Sequence, residues 1–171
     1  MHLVHRLAAV VLTLGLSASL TGCGFHLVGH GPHATPIAYQ HMKLNLPDGA
    51  NVLGDKLTMY LTGNGAKFDN ASNAYTLHVL SYDYKRQKLS GRVAEVLLHL
   101  NVTFQIEDSQ GNAITTPRTI TGIKTYQYNV ATVNVDDNEE HYLIDILIDD
   151  VAQQMSRQIS SNRLPLIQHQ Q

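Results

Sequence analysis

The pattern of apolar and polar residues predicts an α+β protein. The expected form is a two-layer sandwich: a four-stranded mixed sheet with two helices on one face, in the order β-α-β-β-β-α. Three observations carry this. Val96, Leu98, Leu100, Val102, Phe104 and Ile106 alternate with Leu97, His99, Asn101, Thr103 and Gln105, as a strand does when one face lies in a core and the other is largely polar. Leu53, Leu57, Tyr60 and Leu61 recur at helical spacing and make one apolar stripe. Ile144, Ile148, Val151, Met155 and Ile159 make a second, with Leu147 beside it. Two amphipathic helices need an apolar surface to cover, and a sheet supplies one.

The chain opens with His5 and Arg6 and an apolar run from Leu7 to Leu20, too short to span a bilayer. That is the anatomy of a signal peptide over residues 1–22. Its end, Leu20-Thr21-Gly22-Cys23, is similar to the lipobox of bacterial lipoproteins. The resemblance implies cleavage before Cys23 and acylation of that residue. Several acyl chains anchor a protein stably where one holds it only marginally. Removal of 22 residues leaves a mature chain of 149 (171 minus 22), the size of one ordinary domain. Cys23 is the only cysteine, so once acylated it leaves no thiol for a disulfide or a metal site.

Residues 23–40 read as a lipidated N-terminus and tether, in which Gly24, Gly29, Gly31, Pro32 and Pro36 break any regular period. His26, His30, His33 and His41 recur there, but a Gly/Pro-rich tether does not hold metal ligands in fixed geometry, and no metal site is expected. The domain is expected over 41–165, with a tail at 166–171.

Met42, Leu44 and Leu46 alternate with Lys43 and Asn45 in a first strand, stopped by Pro47-Asp48-Gly49. Asn51 is the expected N-cap of the first helix and Gly63-Asn64-Gly65 its stop. Tyr75 to Tyr84 reads as the second strand, Val96 to Ile106 as the third and Thr119 to Tyr128 as the fourth. Pro117 argues for a sheet edge or bulge, and Gly122 for a bulge. Asp108 to Asn112 is a turn. Asp137-Asn138-Glu139-Glu140 is the expected acidic first turn of the last helix, with Asp145, Asp149, Asp150 and Gln153 facing outward and Pro165 ending the element.

Between the second and third strands Lys85, Arg86, Lys88 and Arg92 crowd what reads as a hairpin tip. Such a cluster serves one of two ends: a solvated turn that keeps a sheet edge soluble, or a site for a phosphorylated ligand. Lys124 is a secondary candidate. With 12 Lys and Arg against 14 Asp and Glu, the net charge of −2 gives no global reason to expect nucleic acid. A charged fraction of 15%, with eight Tyr and no Trp, points to a surface covered by a partner, and Tyr126 and Tyr128 on the last strand are the candidates to touch it. No nucleophile motif, phosphate loop or metal triad is present, so neither catalysis nor a cofactor is expected. Glu139, Glu140 and His141 are better explained as the start of a helix, and His78 and His99 as strand residues.

Cys23-Gly24-Phe25-His26-Leu27, directly after the lipobox, resembles the start of the lipopolysaccharide-assembly lipoproteins of the LptE (RlpB) family. The element order agrees over the mature chain, down to the basic first hairpin and the last helix carrying Arg157 and Arg163. Val28 departs from the Arg common in the family, and the polar C-terminal extension of some members is missing. The resemblance implies a non-enzymatic lipoprotein on the periplasmic side of the outer membrane. Its partner would be the β-barrel LptD, which it plugs and helps to assemble, and it would assist transfer of lipopolysaccharide. Lys85, Arg86, Lys88, Arg92 and Lys124 then become candidates for binding lipid A phosphates. The competing reading is an accessory lipoprotein that pilots another outer-membrane machine and binds no glycolipid.

Overall fold

The computed structural model describes residues 39–89, 95–127, 133–161 and 163–167, with the backbone alone for 133–137. Five strands and two helices are present: β1 (His41–Asn45), α1 (Asn51–Gly63), β2 (Lys67–Phe68), β3 (Tyr75–Leu89), β4 (Glu95–Glu107), β5 (Arg118–Gln127) and α2 (Val133–Ser160). The sheet order is β2-β1-β3-β4-β5. β1 runs parallel to both β2 and β3, while β3, β4 and β5 form an antiparallel meander. The expected α+β sandwich is therefore present with one strand more than expected. That strand is two residues long and carries no periodicity to read. It forms because α1 returns the chain alongside β1, where Lys67 N–H donates to the Gln40 carbonyl.

Both helices cover one face. Leu53, Leu57 and Leu61 from α1 and Leu147, Ile148, Val151, Met155 and Ile159 from α2 join Met42, Leu77, Val79 and the alternating residues Val96 to Ile106 of β4 in one core. Leu147 is fully buried at the centre of its stripe, and Ile144 only partly so. The helices are also tied by polar contacts. Lys56 Nζ lies 3.1 Å from Asp145 and 3.4 Å from Asp149, and Tyr60 donates to Asp149 at 2.7 Å. Asp149 thus faces the neighbouring helix, where solvent was expected.

Three local expectations are corrected. Ala50 occupies the N-cap of α1 without a side-chain bond, and Asn51 is the first helical residue. α2 begins at Val133, ahead of the acidic run, so Glu140 sits inside the helix. Gly122 makes no bulge, because β4 and β5 pair without interruption from Glu95↔Gln127 to Phe104↔Arg118. Ile120 and Ile123 simply face opposite ways, the first buried and the second exposed. A Cβ on Gly122 would come within 2.7 Å of Leu147 Cδ1 and 2.9 Å of Val151 Cγ2, so glycine is what lets α2 lie close over β5. The register break falls in β3, between Val79 and Ser81.

The stop of α1 is as expected. Gly65 has φ +97°, its N–H donates to the Thr62 carbonyl, and Ala66 N–H reaches back to Leu61, the paired bonds of a Schellman turn. Beyond Pro165, the first two residues of the expected tail, Leu166 and Ile167, run beside Ile114–Thr116. Thr116 N–H donates to the Pro165 carbonyl and Ile167 N–H to that of Ile114.

Candidate functional site

Lys85, Arg86 and Lys88 do not lie in a turn. β3 runs straight through these three to Leu89, so they alternate between the sheet's two faces. Lys85 stands opposite His99 on the open face and pairs with Asp83 at 2.9 Å. Arg86 and Lys88 stand opposite the buried Leu98 and Val96, on the face that the helices cover. β5 completes the rows: Arg86, Leu98 and Lys124 lie side by side, and Lys88, Val96 and Tyr126 form the next row. Three cations from two strands are thereby gathered on one face, at the end of the sheet where α2 begins. Arg92 and Tyr128 lie outside the described residues.

Arg86 is fixed from above. Its Nε lies 2.7 and 2.8 Å from the two carboxylate oxygens of Glu140, on α2, and its Nη2 donates to the Tyr126 hydroxyl at 3.3 Å. Tyr126 in turn donates to Glu140. Burial alone would lift the Glu140 carboxyl, but the Tyr126 hydroxyl and the Arg86 guanidinium outweigh it and hold it below the usual carboxylate range. The bond to Glu140 raises Arg86, while burial, followed by the Glu140 bond, pushes the Tyr126 phenol up. Lys124 is paired as well, with Asp150 at 2.7 Å. Tyr126 is buried on the helix-covered face. The side chains beside it in sequence, Thr125 and Gln127, point to the open face.

That open face carries a band of polar pairs. His78 Nδ1 lies 2.6 Å from Glu107, Thr103 and Thr119 hydroxyls meet at 2.9 Å, and Thr121 donates to Asn101 at 2.7 Å. Towards the basic end the band gives way to half-buried Leu97 and exposed Ile123 and Leu89. His99 lies among them with a buried Nε2 that has no partner. No cluster of His, Cys, Asp and Glu with metal-holding geometry occurs among the described residues, and no described helix is long and apolar enough to cross a membrane.

Sequence reasoning missed Glu140 and Tyr126 as the partners that orient Arg86. The spacing of 54 residues between Arg86 and Glu140 gives no local signal. It also missed a cleft at the far end of the molecule, lined by Asn64, Arg157, Ser160, Ser161 and Arg163, with a volume of about 300 Å³.

The domain is thus a sheet covered on one side by two helices, with cations at one end, an open second face and an Arg-lined cleft at the other end. The family model for LptE, described as lipopolysaccharide-assembly, matches residues 39–159, and the chain belongs to that family. It is similar to a crystal structure of a minor lipoprotein from Acinetobacter baumannii, at 53% identity and a TM-score of 0.73, covering 76% of this chain and 97% of that one. Its fold is also that of lipoprotein B from Nitrosomonas europaea (21% identity, TM-score 0.66, 82% and 92% covered) and of rare lipoprotein B from Shewanella oneidensis (22%, 0.59, 72% and 96%). Comparison with curated sequences returns no match.

Proposed function

We propose that this lipopolysaccharide-assembly lipoprotein is anchored to the outer membrane through acyl chains on Cys23 and acts without enzymatic chemistry as partner and plug of the LptD barrel. In this reading it assists assembly of the barrel and the transfer of lipopolysaccharide, and its basic end meets the phosphates of lipid A. The observation that carries the reading is the match to the LptE family across residues 39–159, together with the gathering of Arg86, Lys88 and Lys124 on one face. Arg86 is held rigid by Glu140 and Tyr126, and a pre-oriented guanidinium recognises phosphate at less entropic cost than a free one. Partner contact falls to the open face beside Tyr126, around Thr125, Gln127 and Ile123, with Tyr128 a further candidate.

The pairing of Lys85, Arg86 and Lys124 with carboxylates favours the second reading, an accessory lipoprotein of another outer-membrane machine, because paired cations have less charge to offer a glycolipid. Photo-crosslinkers at Thr125, Gln127 and Tyr128 separate the two. Capture of LptD in cells supports the plug, and capture of a different outer-membrane protein supports the pilot.

A further inference from the structure

The cleft lined by Arg157 and Arg163 lies at the end of the sandwich opposite the basic strand ends, separated from them by the length of β4, about 40 Å for 13 residues. Four segments lie at that end of the domain. The chain enters the domain at Tyr39, whose ring packs edge-on against Tyr75 at the start of β3. The cap of α1 lies alongside, with Lys67 N–H bonded to the Gln40 carbonyl. The last turns of α2 are joined to that cap by Asn64 Nδ2, 3.1 Å from Ser156 Oγ. The segment Leu164–Ile167 returns beside them. The cleft is therefore at the same end of the domain as Tyr39, its first described residue.

Its charge is that of an anion site, set in a lining that is otherwise largely apolar. Arg157 and Arg163 both line it, and no acidic side chain does among the described residues. A second cleft, about 260 Å³ and lined by Gln154 and Gln158, shares Arg157, Ser161 and Arg163 with the first. Arg157 donates to Gln153 at 3.1 Å, and Arg163 has no side-chain partner among the described residues. Two buried side-chain atoms have no partner there: Ser160 Oγ, a donor that an anion can use, and Gln158 Oε1, an acceptor that it cannot. The negative end of the α2 dipole, about half an elementary charge, opposes an anion, but two guanidiniums outweigh it.

We infer that the Arg157–Arg163 cleft binds the phosphate of an anionic phospholipid headgroup in the leaflet that holds the acyl chains of Cys23. The inference rests on the reading of Cys23 as the anchor. Fifteen residues, 24 to 38, separate Cys23 from Tyr39. A chain of that length spans at most roughly 55 Å even at full extension, which bounds how far the cleft can lie from the headgroups. A phosphate contact too weak to hold a free protein becomes effective when the anchor supplies the ligand at millimolar effective concentration. The two arginines would also set the domain upright, with the lipid A end pointing away from that leaflet.

The single cysteine makes the test direct. The mature chain, alkylated at Cys23 with one myristoyl chain, binds vesicles reversibly. On vesicles of phosphatidylcholine with one-fifth phosphatidylglycerol it should bind roughly 10- to 30-fold more tightly than on phosphatidylcholine alone. Arg157→Gln with Arg163→Gln should abolish most of that gain, and Arg163→Gln alone, at an exposed residue, should halve it on a logarithmic scale with unchanged melting. In parallel, dihexanoylphosphatidylglycerol below its micelle concentration and inorganic phosphate at matched ionic strength are titrated into the unalkylated chain while the guanidinium resonances of Arg157 and Arg163 are followed. Shifts with the lipid support the inference. Equal vesicle binding by wild type and both variants, or shifts with inorganic phosphate alone, would overturn it. Because the acyl chain is installed chemically and no barrel or lipopolysaccharide is present, neither outcome depends on the proposed partner. Lipopolysaccharide binding by the same variants should be unaltered.

Discussion

Arg86 on β3 and Glu140 on α2 are joined through both carboxylate oxygens, at 2.7 and 2.8 Å, and the Tyr126 hydroxyl from β5 closes the group. One end of the helix layer is thereby pinned to two strands of the sheet. Glu140→Gln should cost roughly 1–2 kcal/mol at neutral pH, the range for a charged hydrogen bond discounted for the partial exposure of Arg86. The sign with pH follows from the depressed Glu140 carboxyl. Its contribution is present above the ordinary value of 4.5 and is lost as pH falls through the lower value in the folded state. Urea melts at pH 7 and at steps below pH 4.5 should therefore show a gap between variant and wild type that narrows as pH falls. A gap that stays constant throughout that range would mean that packing of the side chain, and not its charge, sets the cost.

Gly122→Ala is a small change at a tight place. The added methyl meets Leu147 Cδ1 and Val151 Cγ2, and overpacking of this kind costs about 1–3 kcal/mol. Leu147→Ala alone opens a cavity and should cost about 2–5 kcal/mol. Combined, the two should lose less than the sum of the singles, because the new methyl occupies part of the space vacated. Thermal melts of the four proteins in the cycle measure the coupling, and strict additivity would show that the two residues do not touch.

The places where sequence and structure part have physical reasons. β4 and the stripes of both helices were legible because each repeats a period over several turns or pairs. β2 was not, since two residues held by backbone bonds carry no pattern. Lys85 to Leu89 read as a turn because charge imitates solvent exposure, yet pairing with Glu95 to His99 continues the strand through them. Gly122 suggested a bulge, when its role is the close approach of a helix 25 residues further on, a contact no local pattern records. The basic residues were found but not their geometry: which face each occupies depends on where the strand ends, and which carboxylate meets each depends on the return of α2.

Leu100 and Thr103 test the two faces of β4. Leu100 is fully buried beneath the helices, whereas Thr103 shares a hydroxyl bond with Thr119 on the open face. Leu100→Asp places an uncompensated charge in the core and should cost several kcal/mol, about 3 or more, or prevent folding. Thr103→Asp should cost about 1 kcal/mol or less in the isolated domain. If the open face meets the barrel, Thr103→Asp should nevertheless reduce recovery of the complex from membranes. Loss of complex with normal melting would separate the partner role of that face from its structural one.

The proposed lipid A site makes unequal demands on the basic residues. Arg86 is unsuited to charge reversal, because its loss strands Glu140 and Tyr126 and confuses binding with stability. Lys88 lies in the row beyond it, nearer the end of β3, and Arg92 follows in sequence, so Lys88→Glu with Arg92→Glu changes the field at that end while leaving the Arg86–Glu140 pair in place. Exposed charged contacts are worth up to about 1 kcal/mol each, so the double variant should bind lipopolysaccharide roughly 3- to 30-fold more weakly. Salt should erode wild-type binding more than that of the variant, since screening over ~8–10 Å acts on the charges that the variant has lost. Lys85→Glu, on the opposite face and beside Asp83, should have a smaller effect. Binding to immobilised lipopolysaccharide at two salt concentrations, with melting as the control for folding, measures all three proteins. Equal binding by wild type and the Lys88/Arg92 variant would leave the basic strand end as protection for the sheet and would favour the pilot reading.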